Sequence, residues 1–169
     1  VGNSGSPLLT RQGEVVGLVA DVIGGPAGIG GIGVAVPGDL VAQSIADLER
    51  FGVPQRGWLG ASLISLDELP PVLLRAVGLT STQGAMVDRV EPGSPAARAG
   101  LKGAQRDTQG RLLALGAVIL AVDGVAVKDK ADVVRLVAQR RPGDRVRLTL
   151  WRDRRRLEVT VVLMARPRE

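Results

Sequence analysis

The sequence predicts a mainly β fold with short helices (α+β), divided into two parts. Turn-forming residues are abundant, with 23 glycines and 10 prolines among 169 residues, as expected where short strands are joined by tight turns. Apolar residues make up 45% of the chain and are mostly Val, Leu, Ile and Ala. They recur in short runs typical of half-buried strands. A few stretches instead combine a capping residue with helical spacing, which predicts the helices.

The first part, residues 1–52, is predicted to contain three strands. Residues 7–10 and the run EVVGLVADV from Glu14 form two strands around a turn at residues 11–13, and IGVAVP from Ile32 forms the third. The glycine-rich stretch IGGPAGIGG between the last two reads as a mobile loop.

A helix is predicted to follow the third strand. Asp39 is expected to cap it and Gly52 to end it. Its apolar spacing places four residues on one face: Leu40, Ser44, Ile45 and Leu48. Residues 53–56 are predicted as a linker to the second part, residues 57–169.

The second part is predicted to begin with a strand, WLGASLISL, and a short helix, DELPPVLLRAVGL. After the strand GAMVDRV, Ser94 is expected to cap a helix of one or two turns that has Pro95 at its first position. The stretch KGAQRDTQGRLLA is polar and is predicted as a loop.

The end of the second part is predicted to contain two hairpins and a helix between them. Asp123 and Gly124 form the turn of the first hairpin, and residues 152–154 form the turn of the second. The helix DKADVVRLVAQRRPG is amphipathic, with Val133, Leu136 and Val137 facing inward.

The residue types and apolar runs that are absent from the chain exclude several kinds of site. Histidine and cysteine are both absent, so the chain holds neither an imidazole base nor an imidazole or thiolate metal ligand. No metal site and no cofactor are expected. No apolar run reaches the 18 or so residues of a membrane-spanning helix, so no membrane span is expected in this chain.

The C-terminal stretch RRPGDRVRLTLWRDRRRLE concentrates arginines and could be a basic stripe that binds nucleic acid. The alternative is the solvated face and tip of a hairpin. We favour the hairpin, because the arginines alternate with Val, Leu and Trp as a half-buried strand requires. Aromatic residues make up only 2% of the chain, which argues against base stacking, and no nucleic-acid partner is expected.

Three motifs follow one another in an informative order: GNSGSPLL, then GEVVGL and GIGVAVP before a helix, then RGWLGA with VEPGSPAARAGL and VILAVDG. This order resembles the HtrA (Deg) family of trypsin-like serine proteases. The resemblance implies that residues 1–52 are the C-terminal fragment of a trypsin-like barrel and that residues 57–169 are a bacterial-type PDZ domain. GNSG is a weak signal alone, whereas PGSPAARAGL with VILAVDG is specific.

The resemblance assigns catalytic roles near the start of the chain. Ser4 matches the nucleophile, and the N–H groups of Ser4 and Gly2 match the oxyanion hole, whose donors stabilise the charge of the acyl-transfer intermediate. Since a serine without a base is a poor nucleophile and the family's histidine and aspartate lie upstream, this chain alone is predicted to be inactive. A plain Gly-Asn-Ser turn is the alternative interpretation of the motif.

In the PDZ part the resemblance implies a groove for peptide C-termini. Trp58, Leu59, Gly60 and Ala61 match the loop whose N–H groups hold the terminal carboxylate, and Ser62 and Leu63 continue as the strand that receives the peptide. Three helix residues are expected at the terminal side chain: Val133, Leu136 or Val137. Alternatively, Gly57 and Gly60 only mark a bend and the groove packs against a neighbouring domain.

Two positions depart from the family pattern. Ser6 stands where glycine is usual, and a positive φ there would be strained. Ala117 replaces a turn-capping aspartate.

Two functions therefore remain open. The first is the C-terminal portion of an HtrA-type endopeptidase in protein quality control, which acts on unfolded proteins. The second is a non-catalytic peptide-binding module. By resemblance, the full-length protein is expected to be extracytoplasmic, in the periplasm or cell envelope, and a homo-oligomer, with peptides or unfolded protein C-termini as partners.

Overall fold

A computed structural model describes residues 3–23 and 31–167. The chain divides into two compact units, Val1–Gln55 and Arg56–Glu169. Each unit is described by itself below.

Unit 1 contains the three predicted strands, β1 (Pro7–Leu9), β2 (Val15–Ile23) and β3 (Ile32–Pro37). They form an antiparallel sheet in the order β1-β2-β3. A turn closed by the Gly13 N–H and the Thr10 carbonyl connects β1 to β2, as predicted. Of the predicted mobile loop, residues 24–30 lie outside the described residues.

Helix α1 (Gly38–Phe51) follows β3 directly, and the prediction that Asp39 caps it is wrong. Pro37 is the N-cap residue, in extended backbone, and no side chain caps the helix. Asp39 lies within the first turn, where its Oδ1 accepts a hydrogen bond from the adjacent Leu40 N–H. The helix starts at Gly38, earlier than predicted, because Pro37, the last residue of β3, is itself the N-cap residue. Gly52 ends the helix as predicted, with its N–H donating to the Leu48 carbonyl.

Unit 1 buries no large hydrophobic side chain among its described residues. The predicted apolar face of α1 is solvent-exposed, with Ile45 and Leu48 each about half exposed. The exposed large hydrophobic side chains of the unit are Leu8, Leu9, Val15, Val16, Ile32, Val34, Val36, Leu40, Ile45, Leu48 and Phe51. The described part of unit 1 thus has three strands and one helix but lacks the apolar burial that stabilises a domain.

Unit 2 is built on a six-stranded antiparallel sheet with the order β12-β11-β9-β6-β5, in which β10 also pairs with β9. Its strands are β5 (Ala61–Ser65), β6 (Ala85–Val90), β9 (Val118–Val122), β10 (Val125–Ala126), β11 (Arg145–Arg152) and β12 (Arg155–Val162). Two short pairs lie beside it, β4 (Gly57–Trp58) with β13 (Met164–Ala165) and β7 (Gln105–Arg106) with β8 (Leu112–Ala114). The helices are a 3₁₀ turn (Leu66–Glu68), α2 (Pro71–Ala76), α3 (Pro95–Arg98) and α4 (Lys130–Ala138).

Several local predictions for unit 2 are confirmed. The Ser94 hydroxyl accepts a hydrogen bond from the Ala97 N–H and caps α3. Asp123 and Gly124 both have positive φ in the β9–β10 turn, as the Asp-Gly pair predicts. Asp153 and Arg154 form the β11–β12 turn, and along β11 buried Val146, Leu148 and Leu150 alternate with more exposed residues. This alternation agrees with the hairpin interpretation of the arginine-rich stretch.

Three predicted elements differ in detail. The strand predicted from residue 58 is broken at residues 59 and 60, between β4 and β5. The helix predicted over residues 67–79 is divided into the 3₁₀ turn and α2 at Pro70 and Pro71, because proline disfavours helical backbone in the residue before it. The predicted loop over residues 102–114 contains the β7–β8 hairpin. Asp107 holds its turn by accepting hydrogen bonds from the Arg111 backbone N–H and guanidinium.

The core of unit 2 forms two clusters of buried side chains. The larger lies between the sheet and α4 and includes Val87, Ile119, Val133 and Leu148. The smaller packs Leu66, Leu74 and Met86 beneath α2. These two clusters fix the positions of α4 and α2, which each form one wall of a cavity.

The backbone accommodates Ser6 and Ala117, the two residues that depart from the family pattern. Ser6 is not among the residues with positive φ. Ala117 is fully buried, and its N–H and carbonyl are bonded to Lys102 and Val87, so the backbone alone holds this turn. Among the described residues, no helix is long and apolar enough to cross a membrane, and no cluster of metal-ligating side chains occurs in the same ranges.

Candidate functional site

A groove of about 230 Å³ lies between β5 and α4 in unit 2. Its lining is mainly apolar. The residues that line it are Arg56, Gly57, Trp58, Leu59, Gly60, Ala61, Leu63, Val133, Val134, Val137, Ala138 and Arg166. The groove thus brings together most of the residues that the sequence predicts for peptide binding.

The backbone bends sharply at Gly60, between β4 and β5. Gly60 has φ +73, a conformation that other residues adopt only with strain. A Cβ there would overlap Ser94 and lie 2.9 Å from Trp58 Cη2. The carbonyls of Leu59 and Gly60 accept hydrogen bonds from the N–H groups of Ala96 and Glu91, which ties the bend to the start of α3.

The N–H groups at this bend differ from the carbonyls in their hydrogen bonding. Among the described residues, the N–H groups of Leu59 and Gly60 donate no hydrogen bond outside the strand ladders. Consecutive N–H groups around a residue of positive φ form a concavity that suits an anion. The bend can therefore receive a carboxylate.

One side of the groove is an open strand edge. β5 pairs with β6 and is the last strand of the sheet, so its other edge is free to receive an added strand. Leu63 lines the groove, whereas the side chain of Ser62 is exposed and lies outside the lining.

The other side of the groove is α4, and here the structure modifies the sequence prediction. Val133 and Val137 are buried and line the groove, but Leu136 does not line it and packs against the larger core cluster. Val134 and Ala138, which the sequence did not single out, take its place, and Val134 is 60% exposed. Periodicity finds the buried face of α4. It does not reveal that the groove face of the helix extends one position further along the chain, to Val134 and Ala138.

A polar cluster joins the two sides of the groove at the end of β5. The buried Ser65 hydroxyl accepts a hydrogen bond from the Lys130 backbone N–H at 3.1 Å, and Lys130 Nζ lies 2.8 Å from Glu68 Oε1. The hydrogen bond from Lys130 lowers the pKa of Glu68, so this carboxylate stays ionised at neutral pH. The cluster holds the start of α4 beside the end of β5.

Charge in the groove is one-sided. Arg56 and Arg166 line it, both exposed, and no acidic side chain occurs among its described lining residues. Arg56 directly precedes β4 and is the first residue of the RGWLGA motif, so the sequence could have singled it out. Arg166 reaches the groove because β13 pairs with β4, which no local pattern reveals. The lining favours an anionic end group on the ligand.

The predicted nucleophile lies in unit 1. Ser4 is exposed within a turn closed by the Ser6 N–H and the Asn3 carbonyl, with Gly5 at φ +86. A hydrogen bond of 2.7 Å from the Gly5 N–H to the Val19 carbonyl fixes this turn to β2. Gly2, the second predicted oxyanion donor, lies outside the described residues.

Comparisons with known proteins agree with this geometry. The PDZ domain family model matches residues 57–163. A probable periplasmic serine endoprotease DegP-like from Brucella suis biovar 1 (strain 1330) is 32% identical over 168 residues, which cover 99% of this chain and 30% of the relative. A protein of the same description from Rhizobium meliloti (strain 1021) is 34% identical over 90% of this chain and 27% of its own length.

Solved structures show the same likeness. The HtrA-type protease AlgW with a decapeptide is 30% identical, with a TM-score of 0.70, over 99% of this chain and 47% of that chain. A serine endoprotease from Yersinia pestis matches with a TM-score of 0.61 at 25% identity, over 98% of this chain and 48% of its own. The chain thus spans less than half of the length of these relatives.

Proposed function

Since this chain belongs to the HtrA/Deg family of trypsin-like serine proteases and carries a PDZ domain at residues 57–163, we propose that it is the C-terminal portion of a serine endopeptidase whose PDZ domain binds peptide C-termini. The groove between β5 and α4 carries this proposal. It combines an open strand edge, an apolar wall and a bend with free N–H groups in one place.

In this proposal, the peptide adds to β5 as an antiparallel strand and its backbone bonds to the strand edge. Its terminal carboxylate accepts hydrogen bonds from the N–H groups of Leu59, Gly60 and Ala61. Its last side chain packs on Val133 and Val137, where an apolar residue fits best.

The proposed complex is of modest affinity. One added strand and one side-chain site bury little surface, so we expect dissociation constants near the micromolar range, about −8 kcal/mol. The similar protease AlgW has been solved with a decapeptide, which supports a peptide as the ligand of this groove.

Calorimetry with a matched pair of peptides tests the groove. A peptide that ends in Val with a free carboxylate should bind, and its C-terminally amidated twin should bind at least about tenfold more weakly, since a charge-assisted hydrogen bond is lost. Equal binding of the amide would contradict the carboxylate site at Trp58 to Ala61. Failure of both peptides would favour a groove that is only structural.

The proteolytic part of the proposal concerns Ser4 and an N–H pair at Ser4 and Gly2. Attack by the Ser4 hydroxyl requires a base to accept its proton, and the chain contains no histidine. We therefore propose that this chain alone is inactive and that the base is supplied by another part of the full-length protease. The alternative is a peptide-binding module without proteolysis, in which the full-length protein supplies no such base.

Labelling with a fluorophosphonate probe tests this part. We expect no labelling of the chain at Ser4, because without a base its hydroxyl stays protonated. A Ser4→Ala variant provides the background signal. Stoichiometric labelling that is absent from the variant would overturn the proposed inactivity.

The proposal extends to the setting of the full-length protein. The relatives are described as periplasmic, and we place this protein in the same compartment, where it would degrade unfolded proteins in quality control. Homo-oligomerisation of the full-length protein belongs to the same proposal and rests on family membership.

A further inference from the structure

The groove between β5 and α4 is held at both of its ends by hydrogen bonds between its two sides. At the end beside the bend, the Gly57 N–H donates a bond of 2.6 Å to the carbonyl of Arg140, which follows α4. At the opposite end, the upstream end, the Lys130 N–H donates a bond of 3.1 Å to the Ser65 hydroxyl. Among the described residues, this second bond is the one hydrogen bond that joins β5 itself to α4.

β5 and α4 have matching lengths and run side by side between these two bonds. β5 has five residues, which span about 13 Å, and α4 has nine, which span about 12 Å. β5 leads away from the bend and ends at Ser65, whereas α4 begins at Lys130 and ends against Gly57. The bond between Ser65 and Lys130 therefore fixes the distance between the end of β5 and the start of α4.

The alternation of side chains along β5 directs Ser65 toward the helix. Side chains two residues apart in a strand share a face, and Leu63, two residues earlier, lines the groove. Ser65 is only 4% exposed, so the Lys130 N–H satisfies a hydroxyl that is removed from water. The Ser65 N–H is bonded in turn to the Glu68 carboxylate at 3.4 Å. Ser65 is thus held through both its backbone and its side chain.

Two other contacts lie at the upstream end, but neither reaches β5. The Gly84 N–H donates a bond of 2.9 Å to the carbonyl of Lys128, which precedes α4, and Lys130 Nζ pairs with Glu68 at 2.8 Å. Both side chains of this ion pair are about half exposed, and pairs of that kind contribute little. Loss of the Ser65 bond should therefore loosen the spacing of β5 and α4 without unfolding the unit.

We propose that Ser65 is a positioning residue that sets the width of the groove at its upstream end and thereby determines how much the fourth and fifth residues from a peptide's C-terminus add to binding. The inference rests on the proposed function, in which the peptide lies antiparallel to β5 with its carboxylate at the bend. The last three peptide residues then lie along Ala61 to Leu63, and the two before them lie along Ile64 and Ser65. Because the bond sets this end of the groove in advance, the peptide does not have to order it, which favours affinity.

Two peptides of different length measure the upstream end separately from the bend. One is a tripeptide that ends in Val with a free carboxylate, and the other is the same tripeptide with three alanines added in front. Both are acetylated at the N-terminus, so that their charge is the same. In calorimetry with the full chain, the hexapeptide should bind at least about fivefold more tightly, because it adds backbone hydrogen bonds to the end of β5.

Two substitutions remove the bond between Ser65 and Lys130 from opposite sides. Ser65→Ala removes the acceptor. Lys130→Pro removes the donor, and proline suits this position because Lys130 is the first residue of α4 and Asp129 before it has extended backbone. In either variant the advantage of the hexapeptide should fall to about twofold or less, with the tripeptide affinity unchanged within about twofold. The double variant should lose nothing further, because both substitutions remove the same bond.

Lys130→Ala is the matched control for Lys130→Pro. It removes the same side chain, with its ion pair to Glu68, but it keeps the backbone N–H that Ser65 accepts. The advantage of the hexapeptide should therefore remain in this variant. Thermal melts of all variants show whether they are folded.

Several results would overturn the inference while the tripeptide still binds and the proposed function stands. They are a hexapeptide with no advantage in the unchanged chain, a full advantage in folded Ser65→Ala, equal weakening of both peptides, or the same loss in Lys130→Ala as in Lys130→Pro. Failure of both Ser65→Ala and Lys130→Pro to fold would overturn it too, since the bond would then serve the fold alone. If the unchanged chain binds neither peptide, the proposed function itself fails, and this inference fails with it.

Discussion

Gly60 is the single residue on which the groove depends most. It turns the chain from β4 into β5 with a positive φ, lies against Ser94 and Trp58, and accepts a hydrogen bond from the Glu91 N–H at its carbonyl. The residue therefore combines a conformational demand with a steric one. This combination explains why glycine is required here for both the fold and the proposed carboxylate site.

Gly60→Ala should impair stability and binding together. The positive φ alone costs about 1–2 kcal/mol, and the overlap of the new Cβ with Ser94 raises the loss to about 2–4 kcal/mol. Affinity for a peptide with a free C-terminus should fall by about tenfold or more, because the N–H groups at the bend are displaced. Urea denaturation and calorimetry measure the two effects.

Gly93→Ala is the matched control for this variant. Gly93 has nearly the same φ, +74, but a Cβ there meets nothing within 4 Å. It should lose about 1–2 kcal/mol of stability and keep its peptide affinity. Equal losses in the two variants would show that contact with Ser94 is not what constrains Gly60.

At the scale of elements, α4 performs two tasks with two neighbouring faces. Val133 and Val137 are buried and serve both faces, Leu136 packs on the core, and Val134 reaches the groove. The Ser65–Lys130–Glu68 cluster holds the helix beside β5. Because the faces lie side by side, substitutions at neighbouring positions of the helix should have separable effects.

Val134→Lys and Leu136→Ala are expected to separate binding from stability. Val134 is exposed, so lysine there should change stability by less than about 0.5 kcal/mol while its side chain obstructs the groove and weakens peptide binding by about tenfold. Leu136→Ala should cost about 1–2 kcal/mol through lost packing, with affinity nearly unchanged.

Calorimetry and denaturant unfolding on both α4 variants measure these effects. Val72→Lys, at an exposed position of α2 outside the groove, controls for added charge. If Val134→Lys binds the peptide as tightly as the unchanged chain, the α4 wall is assigned to the wrong face.

At the scale of the whole molecule, the two units differ in how they are stabilised. Unit 2 contains two clusters of buried apolar side chains. Unit 1 has none of its described large hydrophobic side chains buried, and its sheet has three strands. Exposed apolar edges of this kind favour self-association and local opening.

Limited proteolysis with a protease of broad specificity should therefore cut unit 1 first. We expect early cleavage between residues 24 and 56 and a resistant fragment of about 110 residues, a normal size for a domain. Mass spectrometry of the time course identifies the fragment. A separately expressed chain of residues 56–169 should show the same resistance, and equal protection of both units in the full chain would contradict this difference.

Local patterns in the sequence determined much of this protein. Apolar alternation predicted β11 and β12, the Asp123–Gly124 pair predicted its turn, and Ser94 with Pro95 predicted α3, because each depends on the conformational preferences of a few consecutive residues. The motifs from GNSG to VILAVDG also indicated the family. Pro37 and Asp39 lie close together and either could be the N-cap of α1, and here the same patterns chose the wrong residue.

Only the tertiary structure decided which residues share a site. Arg166 joins Trp58 in the groove lining because β13 pairs with β4, and Trp151 joins Leu73 in the lining of another cavity because α2 is fastened to the β11–β12 hairpin. Val134 rather than Leu136 lines the groove because the core fixes the rotation of α4. The first two cases bring together residues far apart in the chain. Their proximity depends on strand pairing and on the packing of buried side chains, which local sequence preferences do not encode.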